Sequence, residues 1–408
     1  MRRVPSLFLS FLSVLLLVLN VTHSHAQSSP SAAGGQEPVE IRIGYLRAYE
    51  PQLALSVLDI PPPDNGVAGA RVAIDDNNTT GSFLGQKFTL DVVEIKPGDD
   101  ALEPFRQMVA NGAQFVLVDL PADQVLAVAD AGRDQGIIIF NVASREDSLR
   151  EENCRINVFH TAPTYSMLAD GLAQYLMWKQ WPRWVLIYGS HEADQLFAEA
   201  LRRAAERFGG NIVAEKLFED TGTARRTDTG VTQIQRMMPV FTQDLPEHDV
   251  ILAADESEVF GGYLPYRTWV PRPVAGSAGL RPSSWHPASE QWGGTQIQNR
   301  FEKTIGRRMN SIDMNAWTAV RSVGEAATRT QSGDPAKLAD FIRSPEFQVA
   351  AFRGQRLTYR KWNQQLRQPV FLGDSSQVVS TSPQEGYLHQ VSELDTLGID
   401  EPETSCRF

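Results

Sequence analysis

The chain has 408 residues, of which 42% are hydrophobic, 9% aromatic and 21% charged. This length and composition are those of an ordinary globular protein with room for two domains, and they exclude a disordered or fibrous chain. The formal net charge of −11 excludes a general nucleic-acid binder, because such a protein needs a basic surface to displace the counterions of the phosphate backbone.

Residues 1–26 are predicted to be a secretory signal peptide. Met1 is followed by two arginines, then by an apolar run from Leu7 to Leu19, and then by Ser24-His25-Ala26 with small residues at the −3 and −1 positions. The apolar run is too short to cross a bilayer. We therefore expect cleavage after Ala26 and a periplasmic mature protein.

The first structural unit predicted after this segment is a strand, a helix and a second strand. The strands are expected over Ile41–Leu46 and Phe88–Ile95, and the helix begins at Val67. A polar run with glycines from Asp75 to Gly85 is expected to end the helix. The order strand, helix, strand favours a parallel pair, with a ligand loop between the first strand and the helix.

The same alternation continues along the chain and predicts an α/β fold with helix-covered parallel sheets. The predicted helices are Asp99–Ala110, Ala122–Asp134, Thr164–Lys179, Glu192–Phe208 and Ile234–Phe241. The predicted strands are Phe115–Leu120, Ile137–Val142, Trp184–Gly189, Asn211–Phe218 and Val250–Asp255. Such sheets bind ligands at the carboxyl ends of their strands, so the residues that follow each strand are the candidates for a site.

One stretch carries a resemblance to a known family. Gly69–Asn77 reads G-A-x-x-A-x-D-x-N, and Leu84–Leu90 reads L-G-Q-K-F-x-L. The pattern resembles the first helix and second strand of type I periplasmic solute-binding proteins of the leucine/isoleucine/valine-binding kind. The resemblance implies two lobes, each a parallel sheet flanked by helices, joined by hinge crossovers. It also implies a small-molecule ligand, an inner-membrane ABC permease with its ATPase as partners, and a monomeric state.

The resemblance also assigns the residues to the lobes. Residues 39–160 and 282–350 are expected to form lobe one, and residues 161–281 and 351–377 lobe two. Residues 378–408 remain as a C-terminal extension. Only Cys154 and Cys406 are present, and because two cysteines in an exported protein usually pair, we expect a disulfide between them.

Three further sequence segments resemble one particular subfamily. These are Glu290-Gln-Trp-Gly-Gly, Trp362-Asn-Gln-Gln-Leu-Arg-Gln-Pro and the terminal Cys-Arg-Phe. They are similar to substrate-binding proteins of ABC transporters associated with alcohol dehydrogenases that depend on pyrroloquinoline quinone (PQQ). The resemblance alone permits PQQ, an alcohol, an aldehyde-derived acid or another small metabolite, and it implies no catalytic cofactor. Together with the cationic and aromatic candidates named in the next paragraph, it makes PQQ, or a related aromatic acid, the expected ligand.

The candidate ligand-binding residues follow the predicted strands or lie near the crossovers. They are Arg47, Tyr49, Leu120, Ala143, Ser144, Arg145, His191, Asp255, Arg281 and Trp285. Arg145 supplies a planar cation suited to bidentate contact with a carboxylate, and Trp285 beside Arg281 suits a flat anionic ring. The alternatives are that Arg145 points to solvent or pairs with Glu146 or Asp147, and that the tryptophans only pack.

Other ligands and functions stay open. The ammonium group of an α-amino acid would lack its usual acidic partner, because Ala278 or a neighbour stands at that position. A branched-chain amino acid or another small metabolite of alcohol oxidation nevertheless remains an alternative ligand. A ligand sensor for a membrane receptor is a further one.

An enzyme is disfavoured. Ala275–Gly279 nearly matches a hydrolase elbow with Ser277, Asp313 and His389 as the triad, but its strand is short and follows Pro271 and Pro273. The histidines show no paired spacing that would indicate a metal site.

Overall fold

The computed structural model describes residues 38–49, 61–220 and 233–408. The predicted signal peptide and most of the predicted ligand loop after the first strand lie outside the described residues. None of the described helices is both long enough and apolar enough to cross a membrane.

The first sheet contains five parallel strands in the order β2-β1-β3-β4-β5. The strands are β1 Val39–Ala48, β2 Gln86–Ile95, β3 Phe115–Asp119, β4 Ile138–Asn141 and β5 Val158–His160. Phe115 and Leu117 of β3 enter one core, and Val116 and Val118 enter another on the opposite face. Because successive side chains of a strand point to opposite faces, this uninterrupted apolar run indicates a strand buried on both sides.

The helices that cover the first sheet are α1 Val67–Leu84, α2 Leu102–Ala110, α3 Ala122–Arg133, α8 Gly294–Ile305, α9 Ser311–Thr330 and α10 Pro335–Arg343. Helices α1 and α9 pack closely at Gly69, where an added Cβ would lie 1.9 Å from the Asp313 carbonyl oxygen. Glycine is therefore required there for the two backbones to approach.

The predicted end of the first helix is wrong. Helix α1 continues through the polar run to Leu84 and ends at Gly85, whose φ of 65° gives a left-handed cap. The polar residues are accommodated by tertiary contacts. Asn77 donates a hydrogen bond to the Val320 carbonyl at 2.9 Å, and Asn78 accepts one from the Phe88 amide at 2.8 Å.

The second sheet contains four parallel strands in the order β7-β6-β8-β9. They are β6 Arg183–Gly189, β7 Asn211–Phe218, β8 Val250–Ala254 and β9 Val274–Gly276. The helices of this lobe are α4 Tyr165–Trp178, α5 Glu192–Phe208, α6 Ile234–Thr242 and α7 Leu264–Arg267. The two sheets with their helices form the two lobes, and the predicted α/β fold class is confirmed.

Short strands form two further small sheets. Strands β10 Arg281–Ser283, β13 Val370–Gly373 and β14 Val378–Ser382 form an antiparallel sheet, and β11 Val349–Ala350 pairs with β12 Arg356–Leu357. Residues 351–377 were expected in lobe two as a block, but the structure divides them. Leu357 and Tyr359 lie in the core of lobe one, where the Tyr359 ring is edge-on to Phe159 at 5.1 Å. Val370 and Leu372 lie in the core of lobe two.

The C-terminal extension contacts both lobes. Leu394 packs in the first core and Leu397 in the second. Between them, the buried Asp395 carboxylate accepts hydrogen bonds from Arg360 Nε at 3.0 Å and Arg367 Nε at 2.9 Å. The expected disulfide between Cys154 and Cys406 is present in the structure. The extension is therefore part of the folded core and is tied to lobe one at its end.

Candidate ligand-binding cleft

The loop after β4 is held in a fixed conformation by the last residue of that strand. The Asn141 side chain donates to the Ser144 carbonyl at 2.8 Å and accepts from the Ser144 amide at 2.9 Å. Asn315 of helix α9 donates to the Val142 carbonyl at 3.0 Å. These bonds fix the backbone that presents Arg145 at the carboxyl edge of the first sheet.

Arg145 joins the two lobes. Its Nη1 donates to Glu256 Oε2 at 2.8 Å, and Glu256 belongs to the loop after strand β8 of the second sheet. The other Glu256 oxygen accepts a hydrogen bond from Ser277 Oγ at 3.0 Å, so the carboxylate is held from both sides. The Arg145 side chain is 37% exposed and that of Glu256 18%, so solvent or a solute can reach the pair.

Asp255 organises the loop that follows strand β8. Its carboxylate accepts hydrogen bonds from the amides of Val259 at 2.8 Å, Phe260 at 2.9 Å and Gly261 at 2.5 Å. Burial raises the pKa of this carboxyl above its usual value, although the three amides act in the opposite direction. Asp255 therefore fixes the loop that carries Glu256.

Two cavities meet at Arg145. One has a volume of about 320 Å³, and its walls include Arg145, Phe197, Asp255, Glu256, Ser277 and Arg281. The other has about 300 Å³, and its walls include Leu120, Ala143, Ser144, Arg145, Tyr165 and Glu256. Both are bounded by loops at the carboxyl ends of strands, where parallel sheets bind ligands. We refer to the two cavities together as the cleft.

Comparison with known proteins identifies the fold to which this architecture belongs. Residues 64–234 match the family model "Periplasmic binding protein". A periplasmic binding protein from Burkholderia mallei aligns over 91% of this chain and 99% of its own, with a TM-score of 0.66 and 13% identity. The chain has the two-lobed fold of the periplasmic binding proteins. At this identity the likeness establishes the fold alone.

Two further structures of this fold have solutes named in their descriptions. One is a leucine-, isoleucine-, valine-, threonine- and alanine-binding protein from Brucella ovis, with 14% identity, a TM-score of 0.66, and coverage of 85% of this chain and 95% of its own. The other is a solute-binding protein from R. palustris in complex with benzoate, with 12% identity, a TM-score of 0.66, and coverage of 90% and 99%. No curated protein matches the sequence.

The structure brings several predicted residues together in the cleft of this periplasmic binding protein fold. The predicted residues that line its cavities are Leu120, Ala143, Ser144, Arg145, Asp255 and Arg281. Five of them follow a strand at the edge between the lobes, which explains why strand prediction could locate them. Arg281 instead begins strand β10 and was predicted from its place near the expected crossover.

Arg47 and Tyr49 do not line these cavities. Arg47 is buried, its Nη2 lies 2.6 Å from the Glu94 carboxylate, and its Nη1 donates to the Asn65 carbonyl at 2.9 Å. Its guanidinium lies over the Tyr49 ring at 4.3 Å from the centroid. These contacts occupy the guanidinium, and Arg47 therefore has a structural role next to Tyr49 outside the two cavities.

Trp285 and His191 also lie away from the cavities. Trp285 is 2% exposed and packs edge-on against Phe371 at 5.8 Å in the core of lobe one, so the alternative that it is a packing residue is the one observed. His191 precedes helix α5, and its Nε2 lies 2.9 Å from the Asp220 carboxylate. The sequence alone does not show whether a tryptophan near a crossover faces the cleft or packs in the core.

Sequence reasoning missed Glu256 and Tyr165 as cleft residues. Glu256 directly follows the predicted strand Val250–Asp255, so its position was a usable signal. Tyr165 begins helix α4, and burial raises the pKa of its hydroxyl well above the usual value. Burial, together with the nearby Glu192 carboxylate, raises the pKa of Glu146, which also borders the cleft.

The hydrolase triad considered from the sequence does not assemble. Ser277 contacts Glu256, whereas Asp313 pairs with Arg307 at 2.6 Å and His389 pairs with Asp400 at 3.0 Å. In the part of the chain that the structure describes, no group of three or more His, Cys, Asp or Glu side chains is placed to hold a metal ion.

Proposed function

We propose that this protein is the periplasmic solute-binding component of an ABC transporter and that it captures a small anionic solute between its lobes. The observation that carries the proposal is the position of Arg145, which lines both cavities and spans the gap between the sheets. Its partners are then an inner-membrane ABC permease and the ATPase of that permease, and the protein acts as a monomer in the periplasm.

An anionic solute is supported by the arginines of the cleft. Arg145 and Arg281 line the same cavity, and a guanidinium makes paired, charge-assisted hydrogen bonds to a carboxylate. A ligand carboxylate can take the position of the Glu256 carboxylate on Arg145 at little cost, because an ion pair of partly exposed side chains contributes only about 0 to 1 kcal/mol.

PQQ, or a related aromatic acid, remains our candidate ligand on the basis of the subfamily resemblance. Its three carboxylates suit Arg145 and Arg281. Trp285 is buried in the core and cannot stack on it, so the aromatic contact falls to Tyr165 at the wall of the cleft. The benzoate complex of the R. palustris protein supports the general idea that this fold accepts an aromatic carboxylate.

Glu256 favours a second candidate, a zwitterionic solute such as an amino acid. The Glu256 carboxylate lies beside Arg145 and could receive an ammonium group while Arg145 binds the carboxylate of the same molecule. The Brucella ovis protein, whose description names five amino acids, has the same fold.

The proposal is tested by calorimetric titration with PQQ, benzoate and leucine, after mass spectrometry of the small molecules released from natively purified protein. We expect one anionic compound to bind in a 1:1 ratio. Arg145→Ala should weaken that binding by about 1.5 to 3 kcal/mol, because a charge-assisted hydrogen bond is lost. Arg133→Ala, at an exposed arginine of helix α3, is the matched control and should bind normally. Unchanged binding in Arg145→Ala would refute the role of this residue.

A further inference from the structure

The second lobe carries an exposed surface that combines aromatic, aliphatic and basic side chains. It is formed by helix α6 and by residues 264–273, which contain helix α7 and the turn after it. We call it the aromatic-basic patch. Its exposed members are Met237, Val240, Tyr266, Trp269, Val270, Arg236, Arg267 and Arg272.

The two segments of the patch contact each other at both ends of helix α6. Near the start of the helix, the Gln235 side-chain amide lies 3.0 Å from Arg267 Nε. At the end of the helix, the Trp269 amide donates to Thr242 Oγ at 2.8 Å. The patch is therefore one continuous surface with a defined arrangement of side chains.

The apolar members of the patch are not needed for the packing of the lobe. Helix α6 buries Ile234, Met238 and Thr242 along one face, while Met237 and Val240 on the other side are 40% and 63% exposed. Tyr266 is 83% exposed and Trp269 61%. A surface helix normally carries polar residues on its outer face, so a cluster of exposed large side chains indicates a binding surface.

The charge of the patch is opposite to that of the chain. Residues 233–243 and 264–273 contain Arg236, Arg267 and Arg272 but no aspartate or glutamate, whereas the whole chain has a net charge of −11. The patch is therefore complementary to an anionic partner.

The patch is separate from the cleft. None of its residues lines the two cavities, which lie at the carboxyl ends of the strands. Trp269 and Val270 lie instead near the amino-terminal ends of β8 and β9, because Thr242 precedes β8 and the Ile251 amide bonds to the Pro273 carbonyl at 2.9 Å.

We propose that the aromatic-basic patch binds the anionic surface of a lipid bilayer. Tyrosine and tryptophan have an apolar ring with a polar group and favour the boundary between lipid headgroups and acyl chains. Arginine stems can lie along the apolar surface while their guanidinium groups contact lipid phosphates. The binding is peripheral and reversible, and it would hold the solute-loaded protein at the membrane where a transporter resides.

The test is sedimentation of the mature protein with vesicles of phosphatidylglycerol and phosphatidylcholine, compared with vesicles of phosphatidylcholine alone. We expect binding to the anionic vesicles that decreases with added salt, since screening weakens the attraction between exposed charges. Tyr266→Ala with Trp269→Ala should abolish most of the binding. Each of Arg236→Gln and Arg267→Gln should reduce the partition coefficient roughly fivefold.

Matched controls are Trp178→Ala and Arg308→Gln, which change an exposed tryptophan and an exposed arginine outside the patch and should bind as the wild type does. Circular dichroism of each variant shows whether it is folded. Absence of wild-type binding to anionic vesicles at low salt would overturn the proposal, as would equal binding of the folded patch variants. Equal binding to neutral vesicles would overturn it too. Loss of binding to the solubilised permease without any change in vesicle binding would assign the patch to a protein partner and overturn the lipid assignment.

Discussion

The two lobes are connected in two different ways, and the contrast indicates which connection can change. Across the cleft, Arg145 and Glu256 form one ion pair with partly exposed side chains. At the C-terminal extension, the buried Asp395 carboxylate lies between Arg360 and Arg367, with Leu394 and Leu397 in the two cores on either side. A solute can replace a partner in the first connection. The second connection cannot lose a partner without leaving a buried charge unpaired.

The largest effect is expected at the connection in the C-terminal extension. Asp395→Asn should lower the free energy of unfolding by about 3 to 5 kcal/mol, because the buried Arg360 and the partly buried Arg367 lose their common counter-charge. Urea denaturation measures this change. The control is Asp340→Asn, at an aspartate whose side chain is 81% exposed and pairs with Arg343. That variant should differ by less than about 1 kcal/mol. Similar small losses of unfolding free energy in both variants would contradict the difference proposed between the two connections.

The disulfide should have the next largest effect. Cys406→Ser should lower the free energy of unfolding by about 2 to 4 kcal/mol, since the bond joins residues separated by 252 positions and restricts the unfolded chain. Reduction of the wild-type protein by dithiothreitol should give the same loss, and it should make the last residues accessible to carboxypeptidase. If the last residues stay protected from carboxypeptidase after reduction, the non-covalent contacts of the extension are enough to hold them without the disulfide.

A carboxyl group at the cleft edge of the first sheet offers a comparison with Asp395. Burial raises the pKa of Asp119 from 3.8 to about 6. The folded protein therefore binds this proton more tightly than the unfolded chain, and the free energy of unfolding falls as pH rises through that interval. Asp119→Asn should remove this fall and raise stability at pH 8 by about 1 to 3 kcal/mol.

Thermal denaturation across the pH range measures this difference. Asp134→Asn, at an aspartate whose side chain is 93% exposed, is the control and should keep the wild-type pH dependence. If Asp119→Asn kept that dependence as well, the carboxyl would not be the group responsible.

The smallest change in stability is expected at the ion pair of the cleft. Glu256→Gln should alter the free energy of unfolding by less than about 1 kcal/mol. Because Glu256 no longer competes for Arg145, binding of benzoate or PQQ should tighten by up to about fivefold in titration. Glu258→Gln changes another carboxylate of the same cavity and is the matched control. Weaker binding in Glu256→Gln would instead show that Glu256 contacts the solute and would favour the zwitterionic candidate.

Local sequence patterns predicted most of the secondary structure. Helix α5 and strand β7 have the predicted bounds, because their periodic apolar positions end at clear boundaries such as Gly209. The end of helix α1 was predicted wrongly, since the contacts that stabilise Asn77 and Asn78 in a helix come from distant parts of the chain. Tertiary hydrogen bonds override local propensity in such a segment.

The cleft was predictable only in part. Position after a strand located Arg145, because that rule depends on topology, and the place of the expected crossover located Arg281. The direction of Trp285 and the partner of Arg47 depend on how separate elements pack, and no local pattern records that. The partner of Arg145 was missed for the same reason, since Glu256 lies 111 positions away in the sequence.

We expect a solute that binds to Arg145 to bring the two lobes closer together. The most direct test is the distance between spin labels on Arg133→Cys in lobe one and Glu247→Cys in lobe two, measured by double electron–electron resonance. Both positions are exposed. We predict that the solute with the strongest calorimetric signal shortens and narrows this distance in the otherwise wild-type protein but not in the Arg145→Ala variant. The same distance change in both proteins, or solute binding without any change, would contradict the account.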